Sequence, residues 1–227
     1  MCGGFTISLT IGFGERFGVD ESHVTLAPRY NIAPSQTVPV ILTSSAGRRQ
    51  AMPITWGLVP SWTRDPAGAR PLINARAETL ADRPAFRGPL MRQRCLVPAT
   101  GFYEWAKRGR DRVPFYIRRK DSLLFAFAGL YDIWKGGGLP LFSFTIVTTA
   151  PDPLVARYHD RMPAILREED EGRWLATASI PRPELDALLS PYPEEFLEAY
   201  QVSRAVNDPG KEGPELIRRI GGETLPV

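Results

Sequence analysis

Twenty-two prolines and twenty glycines are scattered through 227 residues as punctuation between short segments. Proline removes a backbone donor and glycine opens turn conformations, so the pattern argues for many short strands. Six segments fit that description: Val38 to Thr43, Met52 to Trp56, Arg94 to Val97, Pro114 to Arg119, Leu123 to Tyr131 and Phe142 to Thr148. Each is rich in β-branched and aromatic residues and bounded by turn formers. Gly136-Gly137-Gly138 reads as the hairpin loop between the last two. Helices are fewer and short, over Asp82 to Phe86, Asp152 to Tyr158, Glu168 to Ala176 and Pro183 to Leu189, the last two with acidic first turns. The fold class expected is α+β, with a curled, mostly antiparallel, barrel-like sheet core and peripheral helices.

At 43% apolar and 10% aromatic composition, the chain has enough material for a full core, read as a single domain over residues 1–227. It contains no run of 18 or more apolar residues and no signal-peptide pattern, which points to the cytoplasm and away from membranes. Nothing in it calls for more than a monomer. The net charge is only +3, yet residues 87–120 carry ten basic residues against two acids, and residues 162–200 carry three against nine. Of the 28 basic residues 24 are arginine, which suits bidentate phosphate contacts and is equally the mark of a GC-rich genome. His23 and His159 have no neighbours at zinc-site spacing; neither a metal nor a cofactor is expected. Of the two cysteines, Cys95 lies in an apolar run and reads as a small buried hydrophobe.

Cys2 is different, because it follows Met1 directly. Removing Met1 would leave an amine and a thiol on one Cα. An α-amine titrates near about 7.7–8.0, so a useful fraction is ready to attack an aldehyde at neutral pH, and the thiol could close the resulting imine into a thiazolidine. Polar residues embedded in apolar or turn sequence supply further candidates in Trp56-Gly57-Leu58-Val59-Pro60-Ser61-Trp62, Asn74-Ala75-Arg76-Ala77-Glu78-Thr79, Gly101-Phe102-Tyr103-Glu104-Trp105 and His159-Asp160-Arg161-Met162-Pro163. Each reads as a loop at a strand end.

Taken with Met-Cys-Gly at the start, these segments resemble, in order, the SRAP family of SOS response-associated peptidases, understood as sensors of abasic sites in single-stranded DNA. The likeness continues through Arg29 to Pro34, Val147-Thr148-Thr149-Ala150, Val202 to Asn207 and Pro214 to Ile217. It implies an SRAP-like fold and, as substrate, the ring-opened deoxyribose aldehyde left when a base is lost. On this resemblance Cys2 supplies amine and thiol, Glu104 moves protons around Schiff-base formation with a pKa raised by an apolar pocket, and His159 assists opening of the sugar ring. Asn74 orients the reacting sugar and Cys2; Arg76 and Arg161 bind phosphate; Trp62 stacks on a base or wedges against the duplex edge beside the lesion; Thr149 belongs to the DNA-binding set.

The family start is usually Met-Cys-Gly-Arg, whereas this chain has Gly4, which implies the loss of one phosphate contact. Two rivals stand beside covalent capture. One is a cysteine peptidase with Cys2 as nucleophile; the other is a module that binds single-stranded DNA without covalent chemistry.

Overall fold

The computed structural model describes residues 3–22 and 24–221; Cys2 and His23 lie outside the described residues. In chain order the strands are β1 (Phe5–Ile7), β2 (Arg29–Ile32), β3 (Thr37–Thr43), β4 (Arg49–Trp56), β5 (Asn74–Arg76), β6 (Arg94–Ala99), β7 (Gly101–Arg108), β8 (Asp111–Arg119), β9 (Phe125–Trp134), β10 (Leu141–Thr149), β11 (Met162–Pro163), β12 (Ile165–Leu166) and β13 (Leu197–Gln201). Four short helices lie among them: α1 (Phe13–Phe17), α2 (Pro84–Arg92), α3 (Glu171–Leu175) and α4 (Arg182–Leu188).

Strands β4, β3, β6, β9 and β10 pair in that order, and β10 returns to β4 in parallel through Thr55↔Ser143 and Trp56↔Phe144. The ring closes, so these strands leave few free edges. A second sheet runs β13-β8-β7-β1-β2, antiparallel throughout. Only Thr100 separates β6 in the barrel from β7 in the second sheet, so one length of chain bends from one into the other. The corner is held by hydroxyls: Thr100 Oγ1 lies 2.8 Å from Thr6 Oγ1 and 2.9 Å from Ser8 Oγ, and Thr6 Oγ1 lies 2.7 Å from the Tyr116 hydroxyl. Buried hydroxyls satisfied by one another avoid the desolvation cost of lone ones.

The core runs through the barrel and into the inner face of the second sheet, with Phe5, Phe102 and Phe127 meeting edge to face at centroid distances of 5.9 and 6.0 Å. Every residue of β6 is buried, as expected for a strand covered on both faces. Cys95, within it, is fully buried, and burial pushes its thiol pKa up. Buried charge is matched by partners. Glu171 accepts from Arg16 at 2.6 and 3.1 Å and from Arg49 at 3.4 Å, and Arg94 donates to the carbonyls of Leu90, Trp174, Ala176 and Ala178. No helix among the described residues is long and apolar enough to cross a membrane.

All six strands read from the sequence are present, as is the hairpin over the three glycines, where Leu141 pairs with Trp134. The loop readings need correcting. Residues 101–105 open the eight-residue strand β7, Asn74–Arg76 is a strand parallel to β10, and Met162–Pro163 pairs with the end of β10. Polar residues there looked like strand ends because their sequence neighbours do not show which strand will cover them. Among the helices, α2 starts at Pro84 and extends to Arg92, the 152–158 segment makes only a 3-10 turn at Val155–Arg157, and the 168–176 segment is a 3-10 turn leading into α3. Helix α1 was not anticipated; Phe13 and Phe17, one turn apart, bury their rings together at 5.0 Å.

A Cβ on Gly101 would sit 2.3 Å from the Tyr116 ring, and that ring is itself held at the hydroxyl corner. Gly101→Ala should therefore destabilise by about 2–3 kcal/mol, lowering the melting temperature by roughly 5–10 °C. A melting curve matching wild type would show that the corner can move.

Candidate functional site

Strand β7 alternates. Phe102 and Ala106 join the main core, while Tyr103 packs with Tyr116 and Tyr200 in a second cluster, with Trp105 against it. Glu104 shares the parity of Phe102, pairs across the ladder with Phe115, and is 1% exposed. Burial, with a smaller contribution from the nearby charge of Asp160, pushes its pKa from 4.5 up to about 7. A carboxyl with that pKa can both give and take a proton near neutrality.

Strand β1 lies antiparallel to β7, with Phe5 opposite Phe102, and the Tyr103 amide donates to the Gly4 carbonyl at 3.0 Å. Each step towards the N-terminus is thus a step along β7 towards Glu104. A Cβ on Gly4 would lie 3.4 Å from the Tyr103 ring and 3.6 Å from the Ile32 carbonyl. These are ordinary contacts, so packing does not require glycine there.

A second group of candidate residues is gathered at the end of β10. Beyond Ile146 and Gly129, strands β10 and β9 part, and the segment 162–166 fills the fork: β11 pairs with Thr148 and Thr149, β12 with Phe127 and Ala126. On its opposite edge β10 pairs with β5, setting Asn74 beside Ile146 and Arg76 beside Thr148. Asn74 is half-buried, Arg76 exposed and Thr149 buried. Arg161 reaches the same strand end, donating to the Thr148 carbonyl at 2.5 Å. Its two outer nitrogens also grip Glu78 at 2.7 and 2.9 Å.

His159 follows the 3-10 turn, whose Val155 amide donates to Asp152 Oδ1 at 2.6 Å. Its Nδ1 accepts the Arg161 amide at 3.0 Å and lies 2.8 Å from Asp160 Oδ1. The carboxylate favours the imidazolium, but burial outweighs it and the pKa falls below 6.5.

Trp62 is 66% exposed on a firmly tied loop. The Val59 amide donates to Ser143 Oγ at 2.9 Å, the Ser61 amide to Asp132 Oδ2 at 2.7 Å, and Trp134 Nε1 to the Thr63 carbonyl at 2.7 Å. Trp62, Asn74 and Arg76 line one cleft of about 460 Å³ together with Arg83 and Phe86. A second cleft of about 570 Å³ holds His159 and Asp160 with Trp105, Lys107, Arg112 and Arg157. Arg83, Lys107, Arg112 and Arg157 were not singled out in the sequence. The excess of basic residues over 87–120 signalled Lys107 and Arg112 as a group, but only their pairing across the β7–β8 ladder sets them side by side. Among the described residues no group of His, Cys, Asp and Glu is arranged to hold a metal ion.

Glu104 has its folded pKa raised, so its stabilising contribution is complete below about pH 4.5 and is lost as pH rises through about 7. The stability of Glu104→Gln relative to wild type should therefore increase by about 3 kcal/mol between pH 4.5 and pH 8. Urea unfolding at those two pH values reads the difference; a gap that does not change with pH would mean that Glu104 ionises normally.

The model of the family described as SOS response associated peptidase (SRAP) matches residues 1–209. An abasic site processing protein, YoqW, of Bacillus subtilis is 43% identical over 222 residues, covering 96% of this chain and 99% of the relative. The chicken (Gallus gallus) abasic site processing protein HMCES is 34% identical, covering 84% of this chain and 66% of its own length. A crystal structure of a Bacteroides thetaiotaomicron protein superposes with a TM-score of 0.87 at 32% identity, covering 96% of this chain and all of the other; one from Bordetella bronchiseptica gives 0.77 at 27%, covering 89% and all of the other. The barrel with its appended sheet is thus shared with solved structures, the family match spans residues 1–209, and the chain belongs to the SRAP family.

Proposed function

We propose that this protein processes abasic sites in single-stranded DNA and captures them covalently through Cys2 once Met1 has been removed. Relatives at 43% and 34% identity are named for abasic-site processing. The observation that carries the reading is Glu104, a carboxyl buried in mid-strand whose pKa is pushed up to about 7. Cys2 is two residues from Gly4, whose carbonyl is bonded to the neighbour of Glu104, and two residues reach at most ~7 Å.

The chemistry balances with these groups. His159, whose pKa is lowered by burial, assists opening of the sugar to its aldehyde. The Cys2 amine adds to that carbon to give a carbinolamine. Glu104 donates its proton to the hydroxyl, which leaves as water from an iminium. The Cys2 thiol then bonds to the iminium carbon and its proton returns to Glu104. One aldehyde and one aminothiol yield one thiazolidine and one water. Running the last steps backwards would take up that water and release the aldehyde and the aminothiol, a second use of the same carboxyl. Asn74 and Arg76 orient the strand, Thr149 supports it at the end of β10, and Trp62 offers an exposed face on which a base stacks.

The test mixes Met1-processed protein with single-stranded DNA carrying one abasic site and looks for a heat-stable, slower band on a denaturing gel. A band is expected with wild type and none with Cys2→Ala or with Met1 retained. Binding without any band would leave a non-covalent DNA-binding module, and turnover of peptides without DNA binding would leave a cysteine peptidase. Trp62→Ala should melt within about 1 °C of wild type, since its ring is exposed, yet bind intact single strands about 5- to 150-fold more weakly. Gly4→Arg, whose Cβ would meet only ordinary contacts, should steepen the slope of log affinity against log salt by about 0.7; an unchanged slope would mean that position 4 does not meet phosphate.

A further inference from the structure

Arg161 is a half-buried cation with an exposed lid. Its side chain is 13% exposed, whereas that of Glu78, which covers its fork, is 52% exposed. The inner contact is to the Thr148 carbonyl, a bond that locks the guanidinium to the end of β10. Both outer nitrogens go to the two oxygens of Glu78 at 2.7 and 2.9 Å, and the Arg161 contact is the largest cause of the lowered Glu78 pKa. This is the geometry in which a guanidinium holds any planar pair of anionic oxygens, carboxylate or phosphate alike. Glu78 sits in the 3-10 turn Ala77–Thr79 that directly follows Arg76, and Thr79 and Arg76 line the cleft that exposes Trp62. An anion already occupies the seat beside the surface that would receive a DNA strand.

We propose that Glu78 is a resident competitor for the anion seat of Arg161: a strand phosphate binds there by displacing it, so Glu78 sets the affinity threshold for single-stranded DNA. This rests on the proposed function and adds to it a residue whose removal strengthens binding. A half-exposed carboxylate suits the role, because its partnership is weak enough to exchange and, released, it returns to water. The alternative is a bracket, in which Glu78 only holds Arg161 in position and the strand never meets the fork.

Binding of an intact, fluorescently labelled oligonucleotide separates these, since without an aldehyde no covalent step intervenes. The measurement is affinity over a series of salt concentrations for wild type, Glu78→Gln, Arg161→Lys and the double variant, each first checked by its melting curve. The exchange predicts that Glu78→Gln binds about two- to fivefold more tightly at low salt and steepens the salt slope by about 0.7. The gain should disappear in the Arg161→Lys background, where the fork is gone and the charge kept. Weaker or unchanged binding by Glu78→Gln would overturn the inference and leave a bracket. An equal gain in the Arg161→Lys background would overturn it too, by showing a general field effect. Wild type that fails to bind the oligonucleotide would instead remove the proposed function itself.

Discussion

The bend at Thr100 is the constraint on which the rest of this molecule depends. Because β6 and β7 are one length of chain with a single residue between them, the barrel and the second sheet cannot shift independently. The hydroxyls of Thr6, Ser8 and Tyr116 gather on Thr100, and Gly101 lets the Tyr116 ring lie against the backbone. Strand β1 is pinned at the same corner, so the direction in which the N-terminal chain approaches β7 is decided by the bend. So is the depth of Glu104, which stands three residues beyond Gly101 on a strand covered by its neighbours.

Buried charges are treated in two ways. Glu171 is given Arg16 and Arg49, and Arg94 is given four carbonyls; these groups tie α1, α3 and β6 together. Burial at Glu104 instead raises the pKa to about 7. The first arrangement holds elements in place, because separating the partners would strand a charge in a poorly solvated site. The second keeps a proton available at neutral pH, a condition that acid-base chemistry requires and structural support does not.

At the end of β10 the fork between β9 and β10 does the gathering. The 162–166 segment fills it from one side and β5 pairs with β10 from the other, so residues over 80 positions apart, such as Glu78 and Arg161, come into contact. Sequence proximity alone delivers none of these pairings. It does place His159 beside Asp160 and Arg161, and in that turn burial outweighs the Asp160 carboxylate and lowers the imidazole pKa.

The sequence by itself determined the strand-rich character of the fold, through six segments whose β-branched and aromatic content and turn-forming borders are local properties. The order of motifs from Cys2 onward also determined the family, since order along a chain is carried by sequence alone. Tertiary structure decided that residues 101–105 form a strand and not a loop, that Asn74 and Arg76 form a strand alongside β10, that Trp62 faces solvent, and that Arg161 is already gripped by Glu78. It decided the acidity of Glu104 as well. Desolvation and ion pairing depend on what the rest of the chain brings into contact, and that is a property of the folded arrangement, not of neighbouring letters.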